Sequence, residues 1–145
     1  MSLLPFMKRK DATRQGVNPD IAAFLQDYSI EVMPRTAEKV VDFKDLLPAG
    51  TRVYIAHIDG TPVDEMVATA KRLAADGYRV MPHFPARIIA DKPTLADWIA
   101  RYQGEADVDQ ALLLAGEVAE PKGDFDSLMQ LMETGLIGAF KRLHV

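Results

Sequence analysis

Two glutamates and two histidines stand where apolar runs give way to loops: Glu31, His57, His83 and Glu117. Glu31 sits inside Tyr28-Ser-Ile-Glu-Val-Met33, flanked by Ile30 and Val32. A carboxylate in such a run must be paired or neutral, because an isolated buried charge is too costly. Desolvation raises a carboxyl pKa, which is one way to obtain a general acid near neutral pH. The structural alternative is a glutamate hydrogen-bonded in the core or bridged to Arg35. His83, between Pro82 and Phe84-Pro-Ala-Arg87, can donate to a ligand, orient a cofactor or relay protons, or simply bond a loop backbone. His57 offers the same choice. Glu117 follows Gly116, whose missing Cβ lets backbone approach a flat ligand. The Glu117 carboxylate can then accept hydrogen bonds from that ligand or cap its own loop. No H-x-x-x-H spacing joins the histidines, so no metal site is expected. No Ser-His-Asp grouping or P-loop is visible, and a nucleophilic mechanism has no candidate.

The elements that would position these residues are four strand-like runs, Tyr28–Met33, Arg52–Ile58, Tyr78–His83 and Ala111–Glu117. Helical patterns separate them. Apolar runs without strict alternation predict parallel strands buried on both faces. Polar residues at their carboxyl ends are where α/β folds hold their chemistry. Asn18-Pro19 predicts a helix start, and Ile21, Phe24, Leu25 and Tyr28 form a stripe that would close the amino-terminal end of the sheet. Thr36 is expected to cap a helix burying Ala37, Val40, Val41 and Leu47, ended by Pro48 and Gly50. Thr61 and Pro62 should open a helix burying Val63, Met66, Val67 and Leu73, stopped at Gly77. Thr94 should cap the next, with Leu95, Trp98, Ile99 and Tyr102 inward. Asp126 should cap a short helix bearing Leu128, Leu131 and Met132, ended by Gly135. Lys141–Val145 reads as the opening of a fifth strand.

The first strand runs into Met33-Pro-Arg-Thr36 without a glycine, which argues against a Rossmann nucleotide site. A (β/α)8 barrel needs about 250 residues. The expected fold is therefore α/β of the (β/α)8 type, comprising the first four βα units and the start of the fifth strand. Residues 1–27 would be a leader and capping helix, and 28–145 the amino-terminal half of the barrel.

The 145 residues suit one domain, 48% hydrophobic and 26% charged, with a formal net charge of −4. Lys8-Arg9-Lys10 is the one short cationic cluster and reads as a solvated leader, so nucleic acid is not expected as the main partner. The absence of cysteine excludes disulfides, thiolate nucleophiles and Cys-ligated zinc. No stretch approaches the roughly 20 apolar residues of a membrane span. Met1–Met7 is too short for a signal peptide's apolar core, and its charges follow it. A soluble, cytoplasmic protein is expected.

Three segments together resemble the 5,10-methylenetetrahydrofolate reductase family. Ser29-Ile-Glu-Val-Met-Pro-Arg35 is similar to its first-strand motif, and Met81-Pro-His-Phe-Pro-Ala-Arg87 to its proline-histidine motif at the third strand. Leu113-Leu-Ala-Gly-Glu117, followed by Gly123-Asp-Phe-Asp-Ser127, resembles its fourth-strand Gly-Asp motif and the helix start beyond it. The resemblance implies a barrel that binds FAD at its carboxyl face and passes hydride from NAD(P)H to methylenetetrahydrofolate, giving methyltetrahydrofolate. By the same resemblance Glu31 is the general acid that helps open the folate's five-membered ring, and His83 lies against the flavin. Glu117 takes the place of the aspartate that tunes flavin and folate. Gly116, Phe125 and His57 occupy positions near the cofactor. Two departures stand out: Glu117 is one methylene longer than aspartate, and His57 replaces a Thr-Tyr-Gly type sequence. A folate substrate is implied. A half barrel exposes sheet edges that proteins normally pair, so the chain is expected to be a fragment of a longer protein, or else to be completed by a second copy or a second chain.

Overall fold

The computed structural model describes residues 18–145, so the Lys8-Arg9-Lys10 cluster and most of the expected leader lie outside the described residues. Five strands form one sheet: β1 (Ser29–Val32), β2 (Arg52–Ile55), β3 (Arg79–Pro85), β4 (Gln110–Leu114) and β5 (Arg142–His144). Their spatial order is their chain order, and every neighbouring pair is parallel. The α/β class, the parallel strands and the fifth strand expected from the sequence are all present. Among the described residues the strand order never reverses, so no switch point of the kind at which doubly wound folds bind ligands occurs among these five strands.

The crossovers α3 (Val63–Ala75) and α4 (Lys92–Ala106) are the long helices. Met66, Val67 and Leu73 of α3 and Leu95, Ile99 and Tyr102 of α4 are buried as their spacing predicts. They join Val53, Ile55, Val80, Phe84, Ala111 and Leu113 of the strands in one core. Each large apolar side chain so buried contributes roughly 1.5–3 kcal/mol. Because side chains alternate along a strand, Glu31, Tyr54, Met81, His83, Leu112 and His144 face the other way. That second face is concave. Tyr54 and His144 hydrogen-bond at 2.7 Å, although a flat sheet would set their strands three spacings, or ~14 Å, apart.

Five expected elements differ in detail. The first helix, α1 (Pro19–Phe24), starts as predicted, with the Asn18 side chain accepting from the Asp20 backbone N–H. It stops early, and Ile21, Phe24, Leu25 and Tyr28 are exposed instead of closing the sheet. The chain turns at Asp27, which adopts left-handed φ. The second helix is a single turn, α2 (Pro34–Ala37), followed by a 3-10 turn at Phe43–Asp45. Its continuation is pre-empted by Arg72 of α3, whose guanidinium donates to the carbonyls of Ala37, Val40 and Val41. Val41 is 97% exposed as a result. Thr36 does not cap a longer helix; its hydroxyl reaches back to both the N–H and the carbonyl of Met33.

Helix α3 begins after Pro62, one residue later than a Thr61 cap would place it, and Gly77 with left-handed φ ends it. Helix α4 is capped by Asp91, which accepts from the Thr94 N–H. Helix α5 (Leu128–Glu133) starts at Ser127, not Asp126, because the Gln130 side chain accepts from both backbone N–H groups there. Leu131 is buried, but Met132 is exposed.

Candidate functional site

Alternation and curvature decide which polar residues meet. Glu31 is the register partner of Tyr54, and Tyr54 of Met81, two residues before His83. The Glu31 side chain leans along the concave face to reach His83, leaving Oε2 and Nε2 3.2 Å apart. On the same face the Tyr54 ring stands edge-on to His83 at 6.2 Å between centroids, and its hydroxyl meets Nδ1 of His144. Strands β1, β2, β3 and β5 thereby contribute one side chain each to a polar group of four.

Glu31 is not buried as its apolar flanks predict: its side chain is 58% exposed on the concave face. His83 is buried. Burial pushes its pKa below the ordinary value, and the Glu31 carboxylate opposes that shift without cancelling it. The imidazole is therefore neutral at neutral pH. Although Nε2 lies within ion-pair distance of Glu31, the angles do not make a hydrogen bond, and Nε2 remains a buried polar atom without a partner among the described residues. Proximity to a carboxylate on an open face, with no bond yet formed, is an arrangement a bound ligand can complete.

His57 lies elsewhere. Its ring stacks on Trp98 of α4 at 4.7 Å, and its Nε2 donates to the Thr61 carbonyl at 3.0 Å. That bond fixes the tautomer and leaves Nδ1 buried and unpaired among the described residues. Burial is the main cause holding its pKa below the ordinary value. His57 thus belongs to the helix-facing side and bonds to neither Glu31 nor His83, although it is near enough to His83 for positive charge on the two rings to repel.

Arg87, at the end of the third-strand motif, organises the loop that follows the fourth. Its guanidinium donates to the Asp126 carboxylate at 2.9 Å and to the Val118 carbonyl at 3.2 Å. Backbone bonds from Lys122 to Arg87 and from Asp124 to Ala90 lay the loop along the segment after β3. Gly123 is packed so tightly there that a Cβ would overlap the Ala90 backbone. Gly116, at φ +103, rests on Pro85. Phe125 is 7% exposed and packs in the core, and Glu117 is exposed. The two motifs are joined, yet Gly116, Glu117 and Phe125 do not converge on the Glu31–His83 contact. Lys122 pairs with Asp59 of the loop after β2. That loop borders a groove of about 380 Å³ lined by Met33, Arg35, Ile58, Asp59 and Thr61, which none of the six sequence-predicted site residues lines.

Tyr54 and His144 are the site residues the sequence reading misses. The available signal is alternation within Arg52-Val-Tyr-Ile55, where Val53 and Ile55 face the core and the residues between them face away. Among the described residues no cluster of three or more His, Cys, Asp or Glu could hold a metal ion, and no helix is long and apolar enough to cross a membrane. No protein-family model matches the chain.

Proposed function

We propose that this chain supplies the amino-terminal half of a (β/α)8 barrel oxidoreductase of the methylenetetrahydrofolate reductase kind. The observation that carries the reading is the 3.2 Å approach of Glu31 to His83. These residues come from two separate motifs, 52 positions apart, and the parallel sheet in chain order sets them side by side on its concave face. A flavin fits the residues present: His83 offers a buried, unpartnered ring nitrogen beside the apolar side chains of Met81 and Leu112. When bound, the flavin would supply hydride transfer between NAD(P)H and the folate. The chain's own groups do the rest. His83, neutral and held by its burial, orients a flat ligand. Glu31 delivers a proton to the folate nitrogen as the five-membered ring opens, and a ligand covering this face takes that carboxyl out of water. A closed barrel requires three strands beyond these five, from the same polypeptide or from a second chain.

The test is to express the natural reading frame in full, record its visible spectrum and assay NAD(P)H-dependent reduction of methylenetetrahydrofolate. A flavin band is expected, together with a loss of turnover of roughly 100-fold or more in Glu31→Gln with the flavin retained. A colourless product, or wild-type turnover in Glu31→Gln, overturns the reading. The seating of His57 under Trp98 and of Phe125 in the core favours one alternative, a non-catalytic folate-binding half barrel completed by a partner chain. A colourless protein that still binds folate would establish that alternative.

A further inference from the structure

Three strands open on the same two residues, an arginine and then a core aliphatic: Arg52-Val53, Arg79-Val80 and Arg142-Leu143. Each aliphatic residue packs in or against the core, so alternation turns each arginine to the concave face. Arg52 and Arg79 are direct register partners, as are Gln110 and Arg142. With Lys141 and Asp109 they line a cavity of about 240 Å³ at the amino-terminal side of the sheet. In their strands Arg52 and Arg142 stand two residues before Tyr54 and His144.

The charges of this cavity do not balance. Asp109 pairs with Lys141 at 3.2 Å, and Asp27 stands 4.0 Å from Arg79. Arg52 and Arg142 have no carboxylate partner among the described residues, in a chain whose overall formal charge is −4. Arg52 Nε and Gln110 Oε1 are buried without a hydrogen-bond partner among those residues. Arg79 is held in place, its Nε donating to the Gly50 carbonyl at 2.6 Å. Paired guanidinia on adjacent strands repel, and a buried N–H of a charged group is costly to leave unmade.

We infer that this cavity binds a multivalent oxyanion of the phosphate class. Guanidinium forks match tetrahedral oxyanions by paired N–H···O bonds, and the Gln110 amide can turn its N–H groups to the same ligand. A second copy of this face would set arginine against arginine, so self-association does not meet the need. The site is independent of the acid–base group above it and of any flavin.

Isothermal titration of the 145-residue protein with inorganic pyrophosphate, at fixed ionic strength in chloride, tests the assignment. Saturable 1:1 binding that weakens with added salt is expected. Arg142→Gln and Arg52→Gln should each weaken it about tenfold or more, while Lys71→Gln on the exposed face of α3 leaves it unchanged. Arg142→Gln guards against misfolding, because Arg142 is exposed, and circular dichroism verifies its fold. No saturable binding, or affinity as tight as the unsubstituted protein's in both arginine variants, overturns the site. Binding of poly-L-glutamate without pyrophosphate would overturn it as well, in favour of an acidic protein partner.

Discussion

The polar group on the concave face is set by small distances. Tyr54 Oη and His144 Nδ1, 2.7 Å apart, form the bond that ties β2 to β5 on the concave face. Tyr54→Phe should cost about 0.5–1.5 kcal/mol in urea unfolding and should release the His144 tautomer, read from its ring-nitrogen NMR shifts. Unchanged shifts would mean the bond does not form in solution. Glu31 and His83 were legible in the sequence because a charged or titratable residue interrupts an apolar run. Tyr54 and His144 were not, because a tyrosine among Val and Ile reads as strand filler, and only the curvature of the sheet brings its hydroxyl to a histidine 90 positions away. The burial expected of Glu31 failed for the same reason: its apolar flanks pack on the helix side and say nothing about the face its own side chain takes.

At the scale of elements, the long helices were legible and the short ones were not. Helices α3 and α4 carry full apolar stripes that the sheet buries. The stripe expected over residues 37–47 lost to Arg72, a residue of the next helix that occupies the carbonyls a continuing helix needs. Arg72→Leu should free that segment and cost about 1.5–3 kcal/mol, measured by denaturant midpoint. The segment 37–41 should then exchange its amide hydrogens faster than α3 does. Within α4, the Tyr102 hydroxyl is buried with no partner among the described residues, and burial pushes its pKa well above the ordinary value. Tyr102→Phe removes that unmet group and should leave stability unchanged or raise it by about 1 kcal/mol. A clear loss would show that the hydroxyl has a partner after all. Gly123→Ala forces a methyl into the Ala90 backbone and should cost about 1–3 kcal/mol.

For the molecule as a whole, the parallel order was readable from alternating strand and helix patterns, because only crossovers of that length join parallel neighbours. Which residues would share a face was not: β3 is buried on both sides as expected, but β1, β2 and β4 each have one more open side. Stability should follow two histidines. Burial holds His57 and His83 below the ordinary 6.5 in the folded chain. Above that value both folded and unfolded states are neutral, and the full stability is present. As pH falls below 6.5 the unfolded chain takes up protons first, so stability declines until the folded pKa values are passed. The denaturant midpoint should therefore be flat just above neutral pH, below the range in which tyrosine ionises, and drop on acidification, with a smaller drop in His57→Gln and in His83→Gln. A midpoint independent of pH would contradict this. The stacking of His57 on Trp98 turns that linkage into light, for Trp98 is the one tryptophan in the sequence. An imidazolium quenches an excited indole far more than a neutral imidazole does. Dimming on acidification would report proton uptake at the α4–β2 seam alone, in unlabelled protein and on the timescale of a stopped-flow mixing experiment.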